Sequence, residues 1–259
     1  MLLIFIGLLI AFLIYRHFTW RALVWPNGAG TPARYQAHRG YCKKGDRENT
    51  LASFRQAKLQ KFEMIELDVH LSKDEVPVVF HDEDLQRLGE RSDYVRALTA
   101  LQLKEYVQAP TLEEVLMSPD VPEKVNIEVK SKSYFGNALE QRVCEVVTRC
   151  GAQNRVQFSS FNPLSLWRLK KQLPQVPRAL LATKEPDPSN KIYLKHLWFA
   201  PYIGIHALHL DHRYVSFREL KAYVARGIPV ALWTVNDEKK AQDLLASGAL
   251  SIISDEILF

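Results

Sequence analysis

Cysteine is scarce: Cys42, Cys144 and Cys150 are the whole complement of 259 residues, in no metal-ligand spacing. One must stay unpaired, and Cys144 and Cys150 stand six apart on one predicted helix, so a disulfide framework or thiolate zinc site is not expected. A reducing compartment is the simpler setting. No glycine-rich loop follows a strand pattern, which removes the usual dinucleotide pocket. There is no low-complexity tract and no fixed-period repeat, and the Pro-containing stretch 184–191 is too short for a domain linker. Charge is missing altogether from residues 1–15, MLLIFIGLLIAFLIY. A secretory signal wants Lys or Arg ahead of such a run, so an uncleaved anchor is the preferred reading over a cleaved signal or an interfacial element.

What is present is concentrated in five short strings: AHRG at 37–40, ENT at 48–50, IELD at 65–68, FHD at 80–82 and IEVK at 127–130. Together they hold two histidines, several carboxylates, an arginine and a lysine. Metal-assisted cleavage of a phosphodiester needs that kit: a base, an acid, a divalent cation, and positive groups around the phosphate.

The strings sit on strand patterns. In MIELDVHL, Ile65, Leu67, Val69 and Leu71 alternate with Glu66, Asp68 and His70, the two-residue period of a strand with one acidic face. VNIEVK repeats the alternation, and PVVFHD at 77–82 reads as a third strand carrying His81. Further candidates are 155–161, 178–183, 207–212, 229–235 and 250–254. With AHRG this makes nine candidates for eight places in a parallel α/β barrel, 178–183 or 207–212 being the expected surplus. Helices separate them. Thr111 with Glu114 and Ser216 with Glu219 form capping boxes, Gly227 closes the second, and Asn236 and Gly248 bracket another. Leu139, Val143, Val146 and Cys150 recur at helical spacing and should face the barrel. The expected fold is therefore a (β/α)8 TIM barrel with its chemistry at the carboxyl ends of the strands, preceded by one N-terminal transmembrane or signal-anchor helix.

Domain boundaries follow: an anchor at 1–25, a juxtamembrane linker at 26–34 and the barrel at 35–259, a usual barrel length. A hydrophobic fraction of 47% supplies a large core. Arg16, Arg21, Arg34, Arg39, Lys43, Lys44 and Arg47 face only Asp46 over that stretch, so all of the chain's net charge of +5 lies beside the apolar segment. The rest is near neutral, which argues against a nucleic-acid partner. By the positive-inside rule these charges place the catalytic domain in the cytoplasm behind a single-pass membrane anchor, and they suit an anionic membrane lipid surface. For Lys43 and Lys44 a plain solvated linker is an equal reading.

AHRG, ENT, the E-x-D of IELD, His81-Asp82, the E-x-K of IEVK, SSF at 159–161, WTVN at 233–236 and IISD at 252–255 resemble, in order and spacing, the glycerophosphodiester phosphodiesterase family across roughly residues 35–256. The resemblance implies a TIM barrel in which His38 and His81 are the acid–base pair, Glu66, Asp68 and Glu128 hold one divalent cation (Mg²⁺ or Ca²⁺), and Arg39 and Lys130 face phosphate oxygens. Glu48 would support the metal or orient the first histidine, or simply support the helix beginning near Thr50. A phosphodiester anion repels a nucleophile until a cation neutralises it, and the alkoxide leaves poorly until protonated, so one histidine takes a proton and the other gives one. The nucleophile is water or a neighbouring substrate hydroxyl that forms a cyclic phosphate.

Plainer readings stand beside these. Glu66, Asp68 and Glu128 would otherwise form an internal salt-bridge set with Arg39 and Lys130, at the cost of a buried excess of negative charge. Trp233 either stacks on substrate at the barrel mouth or belongs to the core, as does Phe161. His70 reads as structural, one layer deeper than Asp68, and His196, His206, His209 and His212 as loop or core residues. The chain also departs from the pattern: the segment between His81-Asp82 and TLEEVL is short, and Glu75 stands where a turn glycine is usual. A more open mouth follows. The expected activity is hydrolysis of glycerophosphodiesters to glycerol 3-phosphate and an alcohol, with a lysophospholipase D acting on lysophospholipid substrates as the alternative and a non-catalytic membrane scaffold as the remote one.

Overall fold

The computed structural model describes residues 1–42, 45–188 and 190–256, the side chains of Leu2 and Leu3 apart; Lys43, Lys44 and the last three residues of the expected barrel domain lie outside the described residues. Nine strands form: β1 (Tyr35–His38), β2 (Met64–Leu71), β3 (Pro77–Val79), β4 (Lys124–Val129), β5 (Val156–Ser160), β6 (Arg178–Ala182), β7 (Ala207–Asp211), β8 (Val230–Trp233) and β9 (Ser251–Ser254). Eight are parallel and run in the order β1-β9-β8-β7-β6-β5-β4-β2, and pairing of β1 with β2 closes the barrel. The alternation in β2 and β4 does what its period requires. Ile65, Leu67, Ile127 and Val129 are buried against the outer layer, each side chain contributing about 1.5–3 kcal/mol on burial, while Glu66, Asp68 and Glu128 point into the barrel.

The surplus strand is neither 178–183 nor 207–212, which become β6 and β7. It is 77–82, which shortens to β3 and pairs antiparallel with β2, Val69 opposite Val79 and Leu71 opposite Pro77. Strand propensity is the same for both directions of travel, so residue pattern alone hid the reversal. Its turn, Ser72–Val76, is tied by Ser72 Oγ accepting from Val76 N at 2.9 Å. Glu75 adopts φ 60° there, so the left-handed turn survives without its glycine. The hairpin carries the chain back down, and Phe80 N donates to Asp68 O at 3.0 Å. His81 thereby arrives over the acidic cluster from the opposite direction to every other site residue.

The helix caps at Thr111/Glu114 and Ser216/Glu219 form as capping boxes. For the last helix, Glu238–Ala246, the cap is Asp237, whose side chain accepts from Lys240 N; Asn236 is released for another task. The three cysteines are unpaired thiols.

The expected single-pass anchor, and with it the cytoplasmic placement behind a membrane, is overturned. Among the described residues no helix is long and apolar enough to cross a membrane. The N-terminal helix Leu2–Thr19 has 18 residues, a rise of about 27 Å, against a hydrocarbon core of about 30 Å. Its last turn carries Arg16 and His17, and Arg16 Nη2 donates to Pro201 O at 3.1 Å. Trp20 is buried under Arg226, whose Nη2 donates to Trp20 O at 3.1 Å. Beyond it, Leu23 N donates to Ile205 O and Gly30 N to Asn154 O. Those carbonyls precede β7 and β5, so residues 16–30 lie along the amino-terminal end of the barrel, away from the mouth.

Candidate functional site

Three carboxylates project inward near the carboxyl ends of adjacent strands: Glu66 and Asp68 from β2 and Glu128 from β4. All are buried, and one oxygen of each lies within 4.8 Å of the others. The register explains the cluster, since Asp68 is the Cα partner of Glu128 across the β2–β4 ladder. Lys130 Nζ sits 2.8 Å from Asp68 Oδ1 and 2.6 Å from Glu128 Oε1. Arg39 Nη1 donates to Glu48 Oε1 at 3.1 Å, and its Nε lies 3.4 Å from Asp68 Oδ2 without the alignment of a hydrogen bond. Arg39 and Lys130, expected to face phosphate oxygens, pair with carboxylates here, and Glu48 holds Arg39. Asn49, from the same ENT string, donates from Nδ2 to Asp68 Oδ2 at 2.8 Å.

Glu66 is left over. Its one hydrogen bond among the described residues comes from Arg39 N, at 3.1 Å. The geometry depends on the HRG string: Arg39 takes φ 54° to aim that amide, and at Gly40, φ 87°, an added Cβ would lie 2.4 Å from Ser53 Oγ. Burial, then Asp68 and Glu128, push the Glu66 carboxyl well above the usual range. Burial also raises Glu128. For Asp68 burial acts upward, but Lys130, His81 and Arg39 outweigh it and hold the carboxyl far below. Two cations therefore do not satisfy three buried carboxylates, and the plain salt-bridge reading is incomplete. A divalent cation fits: the donors are all oxygen, and a dication converts one excess negative charge into one positive, which a phosphodiester monoanion then neutralises.

Each histidine is held by its own carboxylate. His38, last in β1, donates from Nδ1 to Asp255 Oδ1 at 2.7 Å, and its Nε2 lies 3.9 Å from Glu66 Oε2. Asp255 is fixed by Asn236, whose Nδ2 donates to Oδ2 at 2.9 Å while its Oδ1 accepts from Asp255 N. His81 donates from Nδ1 to Asp82 Oδ1 at 2.7 Å. Arg87 ties Asp82 at 2.7 Å to Glu48 at 2.5 Å, and so to Arg39. A carboxylate only accepts, so both imidazoles carry their proton on Nδ1 and have Nε2 available for proton transfer. Burial, reinforced by Lys130 and Arg39 against the pull of Asp68, lowers the His81 pKa and keeps the ring neutral at pH 7.

Two adjoining cavities share this wall. The inner one, about 100 Å³, is lined by His38, Glu66, Glu128, His81, His209 and Trp233 among others. The outer one, about 530 Å³, opens at the mouth and is lined by His81, Lys130, Phe161, Asn162, Glu185 and Trp233 among others. Trp233 stands between them with its ring edge-on to Phe161, centroids 5.8 Å apart, so both aromatics belong to the cavity wall. His70 corrects the expectation that it lies deeper than Asp68. It is two residues nearer the mouth, lines the outer cavity and donates from Nε2 to His81 O at 3.0 Å.

Sequence reasoning gave no site role to Asp82, Asp255, Asn236, Asn49 and Arg87, and read His209 as a loop or core residue. The first four stand inside or directly beside the strings that were singled out, so adjacency was their signal. His209 alternates with Leu208 and Leu210 in a strand, which marks an inward position. Arg87 had no local signal.

Fold and site together define a phosphoric diester hydrolase on a parallel barrel with a buried acidic centre. Residues 38–258 match the model of the glycerophosphoryl diester phosphodiesterase family, and the chain belongs to that family. A glycerophosphodiester phosphodiesterase of Bacillus altitudinis is 31% identical over 233 residues, covering 85% of this chain and 93% of that protein. The human lysophospholipase D GDPD1 is 25% identical over 276 residues, covering 85% and 83%. An Oleispira antarctica phosphodiesterase, solved in complex with the product sn-glycerol-3-phosphate, superposes with a TM-score of 0.74 at 27% identity, covering 86% of this chain and 93% of that one.

Proposed function

We propose that the chain hydrolyses glycerophosphodiesters to glycerol 3-phosphate and an alcohol, with His38 and His81 as the acid–base pair. The observation that carries this reading is the convergence on one cavity of Glu66 and Glu128, which cluster with the buried Asp68, and two histidines, each with a carboxylate 2.7 Å from Nδ1. Glu66, Asp68 and Glu128 would hold Mg²⁺ or Ca²⁺, which when bound supplies neutralisation of the phosphodiester charge. Lys130 and Arg39 help to keep Asp68 ionised for that purpose and oppose the upward push of burial on Glu128. One histidine takes a proton at Nε2 from the nucleophile, water or the neighbouring glycerol hydroxyl, while the other gives one to the departing alcohol as its P–O bond breaks; where the hydroxyl attacks, the cyclic phosphate so formed is opened by water in a second step with the two roles exchanged. Trp233 and Phe161 present apolar faces to the substrate carbons. The relative's bound sn-glycerol-3-phosphate supports the same product here.

A second reading, cleavage of lysolipids, draws on the similarity to the human lysophospholipase D and on the wide mouth, where Tyr134 and Phe135 after β4 are exposed. Phosphorus NMR of the protein with glycerophosphocholine and lysophosphatidylcholine in parallel, with Mg²⁺, Ca²⁺ or chelator, decides between them. Glycerol 3-phosphate formed only with a cation supports the main reading. Lysophosphatidic acid from the lipid with the short diester untouched transfers the assignment to the second, and turnover that persists in chelator removes the metal's role.

A further inference from the structure

His209 in the wall of the inner cavity, with Gln157 buried behind it, holds polar capacity that the acid–base chemistry does not use. His209, on β7, faces the barrel interior and is 1% exposed; Gln157, on β5, is 3% exposed. Their contact, Gln157 Nε2 to His209 Nε2, is long at 3.5 Å. Among the described residues His209 Nδ1 and Gln157 Oε1 have no hydrogen-bond partner. Other polar groups of the barrel interior are satisfied in a chain: Ser159 Oγ donates to Asn126 Oδ1, Asn126 Nδ2 to Gln36 Oε1, and Gln36 Nε2 to Ser251 Oγ. Two orphaned atoms in one buried pair are uncommon and call for a ligand or a water.

Burial lowers the His209 pKa to about 3, so the ring is neutral and offers one donor and one acceptor, the complement of a hydroxyl. His209 lines the same cavity as Glu66 and Glu128, and that cavity measures only about 100 Å³, room for about three waters. Leu181 and Ile253 supply apolar wall beside it. The inner cavity is too small for a fatty-acyl chain, which only the outer cavity of about 530 Å³ would hold.

We propose that His209, backed by Gln157, receives the terminal hydroxyl of the substrate's glycerol moiety, and so selects diesters whose glycerol is free at that hydroxyl over lysolipids esterified there. The proposal rests on the phosphodiesterase reading above. His209 acts as a specificity-determining residue. It takes no part in proton transfer.

The test compares glycerophosphocholine with the analogue lacking the terminal hydroxyl, propane-1,2-diol 1-phosphocholine, using wild type, His209→Leu and His209→Gln. Wild type should prefer the hydroxylated substrate in kcat/KM by about 10²-fold or more. In His209→Leu that preference should fall at least tenfold, through a raised KM for glycerophosphocholine, with the analogue's kinetics unchanged, and His209→Gln should recover part of it. An unchanged preference in folded His209→Leu overturns the proposal and leaves the pair as a buried-water site. Where His209→Leu does not fold, wild-type inhibition by sn-glycerol 3-phosphate against propane-1,2-diol 1-phosphate decides, equal constants overturning it. If neither diester turns over, the phosphodiesterase reading fails by itself. The binding ratio of those two phosphates to wild type still supports or overturns the role of His209.

Discussion

Asp255 Oδ1 lies 2.7 Å from His38 Nδ1, joining residues 217 apart in the chain. The contact exists because β1 and β9 are neighbours in the closed barrel, Ala37 opposite Ser254, so the last strand supplies the group that orients the first strand's histidine. Asn236 holds Asp255 from the other side, through its side-chain amide to Oδ2 and its Oδ1 to the Asp255 N–H. His38 is held with its proton on Nδ1 and its other nitrogen toward Glu66.

Asp255→Asn keeps the shape and removes the obligate acceptor. The amide can donate to the ring and stabilise the wrong tautomer, so kcat should fall by about 10²- to 10⁴-fold, the range for loss of a positioned acid or base, with KM little changed. Steady-state kinetics beside a circular dichroism spectrum checks this. A folded variant within a few-fold of wild type would remove Asp255 from the mechanism.

Glu66 gives a prediction with a definite sign. Its carboxyl is pushed above the ordinary value of 4.5 by burial and by Asp68 and Glu128, so the fold prefers it protonated. Its contribution to stability is full below about pH 4.5 and is lost as pH rises through the elevated value. In chelator, Glu66→Gln should therefore be more stable than wild type near pH 7, while losing the upward shift in Tm that Mg²⁺ or Ca²⁺ should give wild type. Because the cation must displace that proton, the wild-type shift should grow from pH 5 to pH 8. Melting curves with and without cation across that range measure both effects, and a cation shift of equal size in Glu66→Gln would refute the assignment.

Arg87 couples the two halves of the site, with Nε on Asp82 and its amino groups on Glu48. A forked guanidinium makes both contacts at once, and an ammonium cannot reproduce them. Arg87→Lys should thus lose nearly as much activity as Arg87→Ala, about tenfold, with the fold intact. Full activity in the lysine variant would show that charge alone suffices.

Most of this site was readable because its residues obey a local rule. Glu66, Asp68 and Glu128 alternate with apolar neighbours, so their shared inward face follows from strand period alone. The hairpin that inverts β3 was not readable, because antiparallel pairing with β2 is decided by a turn and by long-range hydrogen bonds rather than by the residues of 77–82. For the same reason His70 was placed below Asp68 although strand direction puts it above. The role of His209 needed the barrel closed before its cavity existed. At the N-terminus composition misled: a short apolar run reads as a span when its flanking residues are taken to extend it, and the docking of Arg16 and Trp20 on the barrel is a long-range contact that the run itself does not show.

Gly40 isolates the part of the HRG string that carries no chemistry of its own. An added Cβ meets Ser53 Oγ at 2.4 Å and the Ser53 backbone carbon at 2.8 Å, and the residue has φ 87°. Gly227 provides the control, with φ 71° and nothing within 4 Å. Gly227→Ala should cost about 1 kcal/mol, the left-handed penalty alone, with activity unchanged. Gly40→Ala adds steric overlap with backbone that cannot move aside, for a loss of about 2–4 kcal/mol. Relief of that overlap shifts Arg39, whose amide is the one hydrogen bond to Glu66 among the described residues, so turnover should fall and the cation requirement should rise. Urea unfolding of both variants, with activity titrated against Mg²⁺, separates the two effects. Equal destabilisation in the pair would mean that backbone conformation, and not the close approach of Ser53, is what the glycine serves.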